Sequence, residues 1–322
     1  MKIAILGTGA YGIALAKVFY NNSNKVKMWT KFQEELDIIT LKRENKKVLP
    51  KVKIPEDILL TCDMKECVKD ADIIVLAIPM CAIRQTSIEL SKYIKPEQII
   101  CMTSKGIEEG TNKLTSQIIE EIIENDKICM LSGPSFAIEL VNNIPSGIVV
   151  ASRSSKASMM VKLCLENEKL SVITLKDIVG VQVSSSAKNV FAIIMGILDG
   201  LNVADSTRAS MLTILLRDLK NIVEILGGKS NTVDTYAGIG DFLLTCMSNK
   251  SRNYTFGKNI GLGYSIKKSY ENMNNLTVEG LTTLESIYKL LNEKQINIDS
   301  INKLYNILYN DENPSTILEC IK

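Results

Sequence analysis

The chain has 322 residues, with 38 lysines and arginines against 36 aspartates and glutamates, a net charge of +2 and no histidine. The length suits two domains rather than one core, and the near-balanced charge with no extended basic face argues against nucleic acid as a partner. The eight cysteines (62, 67, 81, 101, 129, 164, 246 and 320) include no CxxC pair, so the chain reads as a cytoplasmic protein with reduced thiols and no zinc site.

KIAIL (2–6) is predicted to be a strand. GTGAYG follows at once, then a helical pattern in IALAKVFYNN and a second strand in KVKMW (25–29). Strand, glycine turn, helix and strand in that order form the context that a dinucleotide fingerprint needs. Gly7 makes the tight turn, Gly9 lets the backbone approach a pyrophosphate, and Gly12 lets helix and strand pack closely. Ala10 and Tyr11 open a helix whose free N–H groups suit phosphates. The cofactor is therefore NAD or NADP. The second strand ends in Trp29-Thr30-Lys31, without the carboxylate that commonly binds ribose hydroxyls, and Lys31 would suit a 2′-phosphate. The apolar run before Gly7 is too short for a signal peptide. No stretch approaches the roughly 20 apolar residues that span a bilayer, so membrane insertion is not expected. The densest cationic run, LKRENKKVLPKVK (41–53), reads either as a solvated loop or as an attraction for an anionic ligand.

Further strands are predicted at ADIIVLAIP (71–79), QIICMTSKG (98–106), KICMLSGPS (127–135) and SGIVVAS (146–152). Apolar strands alternating with helices imply a parallel sheet covered on both faces. Pro79, Lys105 and Ser135 then fall beyond strand ends and should rim one crevice. After about residue 178 the strand signal stops, and helices are predicted at 181–201, 207–227, 235–247, 252–261, 276–294 and 298–309. The expected fold is an α/β Rossmann-type domain with a mainly parallel sheet (1–178) followed by an all-α substrate-binding and catalytic domain (179–322).

Within the first of these helices lies SSSAKNVFAIIMGILDGLN (184–202). Its apolar residues recur at helical spacing, yet Lys188 sits among them. With no histidine, acid–base chemistry must use Lys, Asp, Glu, Tyr, Cys or water, which draws attention to a lysine on so apolar a helix. Asp241 follows the glycines of GIG and precedes an apolar run; it reads either as a helix N-cap or as a chemical group. SRN (251–253) groups a hydroxyl, a guanidinium and an amide, suited to phosphate oxygens or to a helix start.

Together GTGAYGIALA, NKKVLP, SKG, GPSFAIE, AKNVFAI, DGL, GIGDFLLTC, SRN and VEG resemble the bacterial NAD(P)-dependent glycerol-3-phosphate dehydrogenases, over nearly the whole chain. The resemblance implies interconversion of dihydroxyacetone phosphate and sn-glycerol 3-phosphate, which feeds phospholipid synthesis. It implies that Lys188 is the proton donor and acceptor, with Lys105 at the substrate and close to the cofactor. Gly133, Ser135, Asp241, Ser251, Arg252 and Asn253 would line the substrate site. Ala137, Arg252, Val278 and Glu279 would contact the cofactor. Lysine on an apolar helix fits this role, since an alkoxide formed from a ketone needs a nearby cation and a proton. Asp241 would hold that ammonium in place. The partner is a small phosphorylated molecule, no metal is needed, and a homodimer is compatible with the resemblance.

The chain also departs from that family. Ser206 stands at a usual asparagine, Ile214-Leu215 replace an Arg-Gly pair, and IPMCAI replaces a Pro-Ser after the third strand. The departures at 202–219 support an alternative, a paralogous dehydrogenase of the same fold acting on another small phosphorylated or carboxylated ketone.

Overall fold

Every strand precedes residue 176 in the computed structural model, which describes residues 1–321. The strands are β1 (Lys2–Leu6), β2 (Lys25–Trp29), β3 (Leu59–Thr61), β4 (Ile73–Leu76), β5 (Ile99–Met102), β6 (Ile128–Ser132), β7 (Ser146–Ser152) and β8 (Leu170–Leu175). They form one eight-stranded sheet in the order β3-β2-β1-β4-β5-β6-β7-β8. β4, β5 and β6 are buried along their whole length, as apolar strands covered on both faces must be. All neighbouring pairs are parallel except β6 with β7. The single short helix between those two has five residues; at about 7.5 Å it is too short to carry the chain back along a strand of roughly 16 Å.

The chain divides into two compact units, Met1–Ser104 with Thr115–Ile178, and Lys105–Leu114 with Val179–Lys322. Helices of the first unit are α1 (Ala10–Asn21), α2 (Gln33–Lys42), α3 (Met64–Val68), α4 (Ile83–Leu90), α5 (Thr115–Ile122), α6 (Ala137–Val141) and α7 (Ser155–Leu165). β1 pairs with β2 on one side and β4 on the other, so the strand order reverses there. In open α/β sheets a ligand crevice opens beyond the carboxyl ends of the strands at such a reversal. β3 and β8 were not legible in the sequence; the former is only three residues long.

The second unit is built on α8 (Ile178–Gly200), α9 (Asp205–Ile225), α10 (Asp241–Cys246), α11 (Arg252–Gly261), α12 (Ile266–Asn272), α13 (Glu279–Glu293) and α14 (Asp299–Tyr309). α8 has 23 residues and a window of mean hydropathy 1.4, so by length and composition it is apolar enough to cross a bilayer, against expectation. Ser184–Ser186, Lys188 and Asn189 break up its apolar run, which hid this in the sequence. In the fold 94% of that window is buried, and residues from Val183 to Leu198 sit in the second unit's core. α8 and α11 meet through glycines. A Cβ added at Gly196 would lie 2.0 Å from the Tyr254 carbonyl oxygen, and one at Gly257 would lie 2.0 Å from that of Ile193. No side chain fits there, so the backbone bearing the SRN motif is held directly against the helix bearing Lys188.

Candidate active site

In the first unit the glycine turn is built as the sequence implies. Gly7 has φ +122°, and a Cβ there would sit 2.3 Å from the Ala77 carbonyl oxygen. One at Gly12 would be 2.4 Å from the Gly7 oxygen, whereas one at Gly9 would meet nothing within 4 Å. Gly7 and Gly12 are thus required by the protein itself, and Gly9 leaves open space beside the start of α1. The α1 N-terminus has no side-chain cap, as at helix ends that receive a phosphate. These residues fit a dinucleotide.

The turn is braced from an unexpected direction. Asn45 donates to the Thr8 carbonyl at 3.2 Å and to Glu35 at 2.7 Å, and Thr30 donates to the other oxygen of Glu35 at 2.6 Å. The basic stretch 41–53 is therefore not simply a solvated loop: Asn45, Leu49 and Val52 are buried. Lys31 is exposed just beyond β2. Tyr11 and Ser135 hydroxyls meet at 3.1 Å, and Ser135 also donates to the Gly133 carbonyl at 3.3 Å. Ala137 begins α6.

In the second unit Lys188 is 5% exposed and Asp241 1% exposed. The Lys188 ammonium donates to Asp241 Oδ1 and, at 2.8 Å, to Thr245 Oγ1. Lys105 donates to Asp241 Oδ2 at 2.8 Å. One carboxylate therefore holds two ammonium groups. Thr245 donates in turn to the Asp241 carbonyl oxygen at 2.6 Å. Burial pushes the Lys188 pKa down, Asp241 pulls it up and Lys105 pushes it down again, leaving it at about 8 against an ordinary 10.5. Burial works against ionisation of Asp241, but Lys105 and Lys188 outweigh it and hold the carboxyl below its ordinary range. Asp241 is the first residue of α10, with Gly240 in the capping position. The N-cap reading is thus corrected: the carboxylate is turned onto the lysines.

Ser251 does cap α11, accepting from the Tyr254 N–H at 3.3 Å. Arg252 is exposed and Asn253 buried. Asn253 accepts from the Gly280 N–H at 2.9 Å, which brings SRN to VEG, where Val278 is buried and Glu279 opens α13. Three contributors escaped the sequence: Thr245, Asn45 and Glu35. Thr245 lies four residues after Asp241, the spacing that puts two side chains on one helical face. The other two gave no local signal. No group of three metal-ligating side chains occurs among the described residues.

Two lysines sharing one buried carboxylate in one unit, and a glycine turn fit for a dinucleotide in the other, are the arrangement of a nicotinamide-dependent dehydrogenase of the two-domain α/β type. Within that class the chain belongs to the NAD-dependent glycerol-3-phosphate dehydrogenase family, whose N-terminal part matches residues 2–158 and whose C-terminal part matches residues 177–319. A glycerol-3-phosphate dehydrogenase of the NAD(P)+ type from Halothermothrix orenii is 36% identical over 97% of this chain and 92% of its own length. One from Staphylococcus aureus is 35% identical over 100% of this chain and 96% of its own. The crystal structure of glycerol-3-phosphate dehydrogenase from Coxiella burnetii superposes with a TM-score of 0.92 at 29% identity, covering 99% of this chain and 97% of that one.

Proposed function

We propose that the protein interconverts dihydroxyacetone phosphate and sn-glycerol 3-phosphate with NADH or NADPH, the product serving phospholipid synthesis, and that Lys188 moves the proton. Family membership supports the reaction. The observation that carries the residue roles is the buried Lys188 ammonium held by Asp241 and Thr245, with a second lysine on the same carboxylate.

When bound, the reduced nicotinamide supplies a hydride to a ketone carbon. Gly7, Gly9, Ala10, Tyr11 and Gly12 hold the dinucleotide in this reading, with Lys31, Lys105, Ala137, Arg252, Val278 and Glu279 around it. Gly133, Ser135, Ser251, Arg252 and Asn253 hold the substrate, the guanidinium pairing with its phosphate. As the ketone oxygen gains negative charge, Lys188 gives it a proton. Lys105 adds a second positive charge, and Asp241 fixes both ammonium groups while leaving the trio net positive, which favours the oxyanion. In the reverse direction the neutral Lys188 amine takes the alcohol proton. A lowered lysine pKa serves both directions, because neither protonation state is remote near neutral pH.

The test is oxidation of NADH and NADPH, side by side, in the presence of dihydroxyacetone phosphate. Wild type should turn over, and Lys188→Ala should lose at least about a hundredfold in kcat, the low end of general acid catalysis. Undiminished turnover in Lys188→Ala would overturn the assignment. The rival reading, another ketone substrate, rests on the departures at 202–219, Ser206 and Ile214-Leu215 among them. Leu215 is fully buried in the second unit's core, so that departure acts on packing and weakens the rival; turnover on a panel of other 2-oxo compounds decides it. A cytoplasmic setting belongs to the same proposal, in keeping with eight free cysteines among the described residues. The expected homodimer is checked by sizing in solution.

A further inference from the structure

Lys105 does not reach Asp241 from a regular element. It lies on the irregular segment Lys105–Leu114, which belongs to the second unit. The far part of that segment is anchored by apolar burial: Ile107 and Leu114 pair as an isolated β-bridge and both sit in the second unit's core. The end next to Lys105 is anchored differently. The Gly106 N–H donates to Ser186 Oγ at 2.8 Å, in a buried contact, and the same hydroxyl donates to the Gln182 carbonyl at 2.8 Å. Ser186 is 1% exposed. Its donor and one acceptor site are thus both used, which fixes the direction of the bond from Gly106. Gly106 itself has φ +139°, a conformation that needs glycine. On its C-terminal side the backbone next to Lys105 is therefore held by a side chain on α8.

We propose that Ser186 is a positioning residue: by holding the Gly106 N–H it fixes the backbone of Lys105, so that the Lys105 ammonium stays on Asp241 beside Lys188. The inference rests on the reading of Lys105 as a substrate-contacting cation. The Ser186 hydroxyl bonds Gly106 and Gln182 rather than the three charged groups, so it acts through the loop. The Lys188 ammonium is faced by Asp241 and Cys246 of α10 and by Lys105 of the loop. Lys105 pushes the Lys188 pKa down. A loop that swings Lys105 away removes that push, and Lys188 then holds its proton to higher pH.

Ser186→Ala and Ser186→Cys are compared with wild type and with Lys105→Ala. Cysteine keeps nearly the volume of serine but is a poor acceptor, which separates the hydrogen bond from packing. In both Ser186 variants hydrogen exchange at the Gly106 amide should quicken. KM for dihydroxyacetone phosphate should rise about tenfold, the effect of one lost buried hydrogen bond, and any loss of cofactor affinity should be no larger than in Lys105→Ala. The alkaline limb of the ketone-reduction pH profile should move to higher pH, as it should in Lys105→Ala. Unchanged exchange, KM and pH limb in both variants overturn the proposal, and so does a loss of cofactor affinity larger than that in Lys105→Ala, which would mark general loosening. If Lys105→Ala alone raises KM, the site reading stands and the role of Ser186 falls. If Lys105→Ala also leaves KM and the pH limb untouched, the site reading fails with it.

Discussion

Burial and two neighbours of opposite sign set the proton affinity of Lys188. Burial outweighs the pull of Asp241, and the pKa settles at about 8. For ketone reduction Lys188 must start protonated, so kcat/KM should fall as pH rises through about 8. For alcohol oxidation it must start neutral, so kcat/KM should rise over the same range. Profiles measured in both directions should cross; two profiles bending the same way would remove Lys188 from the proton path. Asp241→Asn takes away the group that raises this pKa, so the reduction limb should move to lower pH. It also breaks a buried ion pair, at a cost of about 3–5 kcal/mol, which urea unfolding would read as a lower midpoint. Lys188 was legible in the sequence because an apolar helical period and the lack of histidine left few other proton carriers. Asp241 was only half legible. The turn Tyr236–Gly240 is already helical and runs straight into α10, so Asp241 lies inside a helical run where its carboxylate is free of a capping role and meets the lysines. Thr245 reads as filler in LLTC until Asp241 is placed one turn before it.

Six of the seven α-helices of the second unit follow from their periods; α12, only seven residues long, does not, and neither does how closely two of the others approach. Glycines inside a helix cost stability and read as punctuation. Here Gly196 and Gly200 of α8 face Gly257 and Gly261 of α11, and a Cβ at any of them would lie 2.0 to 2.3 Å from a carbonyl oxygen of the other helix. Gly257→Ala should therefore destabilise, although alanine is the better helix former by about 1 kcal/mol. Overpacking against backbone costs typically about 1–3 kcal/mol or more, and the obstacle here is a carbonyl rather than a movable side chain. Thermal unfolding should show a lower midpoint, and KM for the phosphorylated substrate should rise as SRN is pushed away from α8. A midpoint equal to or above wild type would mean that the helices part freely. The missed strands have a different cause. β3 is three residues long, below the length at which alternation is recognisable. In β8 (LSVITL) only Leu170 and Val172 are buried, so its apolar signal is thin.

At the level of the whole chain, the dinucleotide turn belongs to one unit and the lysine pair with its carboxylate to the other. The glycine fingerprint and the strand-then-helix order assign the turn to a first domain and Lys188 with Asp241 to a second, but they assign Lys105 to the first, whereas it belongs to the second unit. The placement of residues 105–114 was not legible, because Ile107 and Leu114 pack with core residues that lie far along the chain, and no local pattern reports such a partner. The division has a consequence that two variants test together. Gly9 has no protein atom within 4 Å of a built Cβ, so Gly9→Val should fold with a wild-type unfolding midpoint. Its side chain would instead occupy the space left for the pyrophosphate, and NAD(P)H binding, followed by fluorescence titration, should be lost or severely weakened. Lys188→Ala should show the converse: cofactor titration as in wild type, and hydride transfer in single turnover slowed at least about a hundredfold. Lys188→Arg should restore little, since a guanidinium holds its proton too tightly to donate it. Wild-type cofactor affinity in a folded Gly9→Val protein would show that the turn does not receive the pyrophosphate. Lost cofactor binding in Lys188→Ala would show that the buried lysine supports the dinucleotide site rather than the proton transfer.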